Sequence, residues 1–136
     1  LISNLLLSSS SLSDVPRYHD KKIAILLHDY FRTALDAPKL LGHSFHNRGP
    51  DTIFRIEIEC NKSTVNKSLI FSFKAINMLT EISKRNFTHS TLVIHFESGA
   101  LPVVAEANIK CTKKFLISDE IFQENWRKNC LTIKNY

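Results

Sequence analysis

Hydrophobic and polar positions alternate over two stretches of the chain, residues 52–59 and 91–96. The apolar residues on one side of the alternation are Phe54, Ile56 and Ile58 in the first stretch and Leu92, Ile94 and Phe96 in the second. A period of two residues is typical of a strand with one buried face. Ser98-Gly99 supplies a turn after the second stretch, and apolar residues resume at Pro102. The pattern predicts an antiparallel sheet.

A helix is predicted between these two strands. The polar segment Asn61 to Lys67 is expected to connect hairpin strands, and an alternation through 69, 71 and 73 then runs into a helix from about Phe73 to Arg85. The predicted buried stripe of this helix is Phe73, Ile76, Leu79 and Ile82 or Ser83. The opposite face carries Lys74, Asn77, Glu81 and Lys84, with Arg85 at its edge.

Two further helices are expected near the ends. Asp20 is a plausible N-cap for a helix from Lys21 to about Ala37, stopped by Pro38 and followed by a loop from His43 to Asp51. The last helix carries Ile121, Phe122 and Trp126 and precedes a polar tail. The predicted fold class is α+β, an antiparallel sheet with a helix packed across it, plus an N-terminal helix and a short C-terminal helix. Residues 1–18 are predicted to be a Ser-rich arm or linker, and 19–136 a single domain.

Composition limits the choice of environment. A chain of 136 residues with 43% hydrophobic residues can bury one core, and its net charge of +5 permits an acidic partner without demanding one. No segment is long enough to span a membrane. The three cysteines form no CxxC pair, so we expect reduced thiols in an intracellular protein. Asn-X-Ser/Thr triplets at Asn61, Asn66 and Asn86 leave a secreted, glycosylated domain as an alternative.

The residues with catalytic or metal-binding chemistry form weak patterns. His43 and His46 are three apart, a spacing that could bind zinc on a helix, but they lie in a predicted loop without a nearby cysteine or paired carboxylate. Ser98-Gly99 lacks the GxSxG context of a nucleophile. We therefore expect no enzyme activity, no metal and no cofactor.

The order LIFSFKAINMLTEISKRNF, STLVIHFES, ALPVVAEANI and KKFLI resembles half of a sliding-clamp domain. The segment IHFESGALPVVAEA is most similar to the DNA-damage checkpoint clamp, in particular its Rad-nine-type subunit. The resemblance covers about Thr52 to Ser118 and implies a nuclear, non-enzymatic ring subunit that encircles double-stranded DNA and docks other proteins. It places Lys74, Asn77 and Lys84 on the DNA-facing helix surface, with Arg85 beside them.

The residues alone leave two other interpretations of these surfaces. Lys84 and Arg85 can simply solvate a helix and favour its C-terminal end. The chain can also be a small intracellular adaptor subunit that contacts other protein subunits and never DNA. Its anchors would then be aromatic residues on helix faces, namely Tyr30, Phe122 and Trp126.

Overall fold

The computed structural model describes residues 16–117 and 123–135, and within these ranges five strands form one mixed sheet. The strands, in spatial and chain order, are β1 (Lys39–Arg48), β2 (Asp51–Cys60), β3 (His89–Phe96), β4 (Val103–Asn108) and β5 (Leu131–Asn135). The α-helices are α1 (Asp20–Thr33), α2 (Val65–Glu81), α3 (Ile109–Thr112) and α4 (Gln123–Cys130). The predicted α+β class, with a helix packed on a sheet, is confirmed.

The hydrophobic core lies between one face of the sheet and the helices. Alternate residues of β2 and β3 point into it, and the predicted stripe of α2 supplies the opposite side; its buried members include Phe54, Ile56, Ile58, Leu92, Ile94, Phe73, Ile76 and Leu79. Burying each large apolar side chain contributes about 1.5–3 kcal/mol relative to leaving it exposed. The alternation in the sequence therefore identified the strand residues that hold the sheet to the helices.

The sheet is mixed rather than antiparallel throughout as predicted, because β2 and β3 pair in parallel, with Ile53 opposite His89 and Cys60 opposite Phe96. The predicted hairpin connection at residues 61–67 is wrong. Asn61 instead caps a short 3₁₀ turn, and α2 begins at Val65. Since α2 carries the chain back along the sheet, the next strand starts at the same end as β2 and runs in the same direction. The strand expected through 69, 71 and 73 is likewise part of α2.

Two segments expected to be irregular are edge strands. The predicted loop from His43 to Asp51 is wrong: β1 occupies Lys39–Arg48 and pairs antiparallel with β2 through a turn at Gly49, whose φ of +61° favours glycine. The predicted polar tail is β5, which pairs antiparallel with β4. Edge strands bury only part of their side chains, so their apolar alternation is weak and the sequence pattern misses them.

The N-terminal helix is confirmed, and α1 buries Ile23, Leu27 and Phe31, but it ends at Thr33 rather than near Ala37 because Ala34 is already extended. Its N-cap is His19 rather than Asp20, and Asp20 is the first helical residue. The predicted Ser-rich arm falls mainly on residues 1–15, outside the described ranges. Within those ranges no helix combines the length and the apolar character needed to cross a bilayer.

Candidate functional site

The outer side of α1 and α2 exposes apolar side chains around Tyr30. Tyr30 is 36% exposed, and its ring stacks on the Phe71 ring, with centroids 5.3 Å apart and planes 10° apart. Met78, 47% exposed, lies two turns further along the same side of α2. We call Tyr30, Phe71 and Met78 the α1–α2 surface. It is a candidate site for contact with a protein, because exposed aromatic residues in fixed orientations suit interfaces.

The other predicted aromatic anchors do not join this surface. Trp126 is fully buried, and its indole Nε1 donates a hydrogen bond to the Thr112 hydroxyl at 3.0 Å. Its ring centroid lies 5.3 Å from that of Phe73 in the core. The prediction of Trp126 as a partner contact is therefore wrong, since its polar atom is satisfied inside the protein. Phe122 lies outside the described residues.

The predicted DNA-facing surface of α2 is not one exposed face. Asn77 is only 4% exposed, and its side-chain Nδ2 donates to the Ile109 carbonyl at 3.0 Å. The placement of Asn77 on an exposed face is wrong, because α3 covers this side of α2. Lys74 is half-buried on α2.

The last two predicted DNA contacts lie beyond the helix. Since α2 ends at Glu81, Lys84 and Arg85 belong to the connection that leads to β3. Arg85 forms an ion pair with Asp20, with Nε and Nη2 donating to the carboxylate at 3.1 and 2.5 Å. Lys84 is exposed, and its Nζ lies 3.3 Å from His19 Nε2. The ion pair therefore balances the Arg85 charge locally and joins the start of α1 to the connection that follows α2.

On the sheet face opposite the core, Arg48 and Glu106 form a two-pronged ion pair. Arg48 donates through Nη1 and Nη2 to both carboxylate oxygens at 2.9 and 2.8 Å, and the Thr91 hydroxyl donates to Glu106 at 2.9 Å. The hydrogen bond from Arg48 is the main reason that the pKa of Glu106 lies below its ordinary value. This face is a pre-ordered polar surface built on rigid strands.

A second carboxylate on this face is held by His95. Glu57 accepts from His95 Nε2 at 2.8 Å and from Arg55 Nη1 at 3.0 Å, and the hydrogen bond with His95 is the largest cause that lowers the pKa of Glu57. Each carboxylate is therefore stabilised in its charged form. These ion pairs hold the side chains of this face in place, and no catalytic role is needed to explain their arrangement.

Of the two histidines weighed as metal ligands, His43 lies against a third histidine, His28. His28 Nε2 and His43 Nδ1 lie 2.9 Å apart, joining α1 to β1, and burial followed by the nearby His28 lowers the pKa of His43. His46 is on β1 and is exposed. Among the described residues, no group of three or more His, Cys, Asp or Glu side chains could hold a metal ion.

The cysteines differ from expectation. Cys111 and Cys130 form a disulfide with their Cα atoms 5.6 Å apart, which joins α3 to the end of α4. Cys60 is a buried free thiol, and burial raises its pKa. The prediction of three reduced thiols is therefore wrong for one pair. Sequence spacing could not show it, because the pair meets only when the chain folds back from β4 through α4.

No protein-family model matches the chain, and no curated protein or solved structure matches it. The α1–α2 surface is therefore identified from its geometry alone. Tyr30 was predicted as an anchor from its helix face, whereas Phe71 and Met78 were missed. The signal for Phe71 was a helical spacing from Phe71 to Ala75 and Met78, obscured by the shorter alternation through 69, 71 and 73.

Proposed function

We propose that the protein is a non-enzymatic binding subunit of a protein assembly and that the α1–α2 surface receives its partner. The observation that supports this is the partly exposed Tyr30 ring, held flat against Phe71. A side chain already fixed in one orientation loses little conformational entropy when it is buried by a partner. Aromatic residues in such positions often supply much of the binding energy of an interface.

The chemistry of the surface favours a partner segment with apolar side chains and an acidic flank. Met78, 47% exposed, offers apolar contact area on the side of α2 that carries Phe71. Lys22 lies exposed at the start of α1, about 80° around the helix axis from Tyr30, and the chain has a net charge of +5. A carboxylate on the partner would meet this lysine and orient the apolar segment across the helices.

DNA contact is not part of this proposal. The chain order β2, α2, β3 and β4 follows the order of strand, helix and hairpin on which the clamp resemblance rests. The residues expected to face DNA do not share one exposed surface, however, because Asn77 is buried and Arg85 is paired with Asp20. A role as a ring subunit around DNA stays a prediction from the resemblance.

The test is to purify the tagged full-length protein from the cells that make it and quantify each bound protein. Tyr30→Ala should reduce retention of a specific partner at least tenfold, equivalent to about 1.4 kcal/mol of binding free energy. Leu101→Ala is the matched control, since Leu101 is 73% exposed in the β3–β4 connection, outside this surface. Thermal unfolding of both variants checks that they are folded. If a folded Tyr30→Ala protein keeps every partner at the wild-type level, the proposal is wrong.

A further inference from the structure

Three exposed asparagines each begin an Asn-X-Ser/Thr triplet. Asn61 follows β2, Asn66 lies in the first turn of α2, and Asn86 lies between α2 and β3. The middle residues are Lys62, Lys67 and Phe87, so none of the triplets is blocked by proline. All three therefore meet the sequence and exposure requirements for an N-linked glycan.

The hydrogen bonds of Asn61 are compatible with a glycan. Its side-chain Oδ1 accepts from the Thr64 amide at 3.1 Å and from the Ser63 hydroxyl at 2.5 Å, and so caps the turn that leads into α2. A sugar attached to Nδ2 leaves this carbonyl oxygen free to accept the same bonds. The modification would therefore preserve the local structure.

A second, independent observation comes from other residues. The disulfide between Cys111 and Cys130 joins half-buried cysteines, so a reductant can reach it. Disulfides persist in oxidising compartments and are rare where glutathione and thioredoxin keep thiols reduced. Asparagine glycosylation takes place in one of those oxidising compartments. The bridge and the three triplets with exposed asparagines thus indicate the same environment through unrelated chemistry.

We infer that Asn61, Asn66 and Asn86 are N-glycosylation sites and that the domain matures in the secretory pathway. In the reaction, asparagine Nδ2 forms a bond to C1 of the sugar as the bond from C1 to the pyrophosphate oxygen of a lipid-linked oligosaccharide breaks. The Nδ2 proton is lost, and the lipid pyrophosphate leaves. This location differs from the intracellular one expected from cysteine spacing.

The glycans would leave the α1–α2 surface open. Asn66 and Phe71 are five residues apart on α2, which places them roughly 140° apart around the helix axis. Asn61 precedes α2, and Asn86 lies beyond its end. The proposed modification and the proposed partner contact therefore occupy different parts of the molecule, and each can fail without the other.

The first experiment treats the full-length protein from its own cells with an endoglycosidase that removes N-glycans and compares its mobility on a denaturing gel. We expect a shift that resolves into three steps under partial digestion. Asn61→Gln, Asn66→Gln and Asn86→Gln should each remove one step. Asn47→Gln is the control, because Asn47 is exposed but begins no triplet. No shift for the wild-type protein, or a shift that persists in the triple variant, would overturn the inference.

Two further measurements separate glycosylation from other causes of a mobility change. Ser63→Ala should remove the step that depends on Asn61, whereas Ser63→Thr should retain it, because only the second keeps the hydroxyl of the triplet. Alkylation of denatured, unreduced protein should label Cys60 alone, and labelling after reduction should reach all three cysteines. Three reactive thiols before reduction would overturn the assignment to an oxidising compartment.

Discussion

Removal of the Cys111–Cys130 disulfide should destabilise the domain by about 3 kcal/mol. The two cysteines are 19 residues apart in sequence. In the chain-entropy relation, opening a loop of about 20 residues returns roughly 11 cal/mol/K to the unfolded chain, which is about 3 kcal/mol at 25 °C. The buried hydrogen bond between Trp126 and Thr112 lies within the loop that the bridge closes. Loss of the bridge therefore removes a constraint on residues of the core.

Urea unfolding measures this effect on oxidised protein, on the same protein after reduction, and on the Cys111→Ala/Cys130→Ala variant. Reduction and substitution should both lower the free energy of unfolding by a similar amount, with a fall in melting temperature of roughly 10 °C. The Cys60→Ala variant is the control, because it keeps the Cys111–Cys130 bridge and its stability should still fall on reduction. If reduction changes the free energy of unfolding by less than about 0.5 kcal/mol, the reasoning from loop closure is refuted.

Two other predictions concern buried and ionised groups. Thr112→Val should cost about 1–3 kcal/mol in urea unfolding, because it leaves the Trp126 indole N–H buried without an acceptor; equal stability would mean that this bond contributes nothing. Stability should also fall as the solution becomes acidic, since the native pKa values of His43, Glu57 and Glu106 are all lowered. The unfolded chain then binds protons more readily than the native one, first at His43 below its ordinary pKa near 6.5 and then at the carboxylates below about 4.5. Unfolding curves from pH 7 to pH 3 should show this loss in that order, and a stability independent of pH would contradict it.

The sequence predicted the parts of the fold that bury a continuous apolar face. The alternation of β2 and β3 and the buried stripe of α2 each follow one period, and their apolar residues form the core or pack against it. The parallel pairing of β2 with β3 escaped prediction, because the residues 61–67 have the polar composition of a turn although the helix begins among them. Polar residues are common in the first turn of a surface helix, so composition alone does not separate a connection from a helix start.

Tyr30 was predicted as an anchor, but the α2 part of the candidate site, Phe71 and Met78, escaped prediction for a different reason, which concerns the neighbours of α2. A hydrophobic period identifies one buried face and assigns the rest of a helix to solvent. α2, however, packs on the sheet while α1 and α3 flank it, and its buried arc extends to Asn77, a polar residue that no apolar period marks. The packing of the helices against one another therefore determines which side chains stay exposed. Tyr30 and Phe71 form a stacked surface only because α1 lies beside α2, and that contact is a property of the packed layer rather than of either helix sequence.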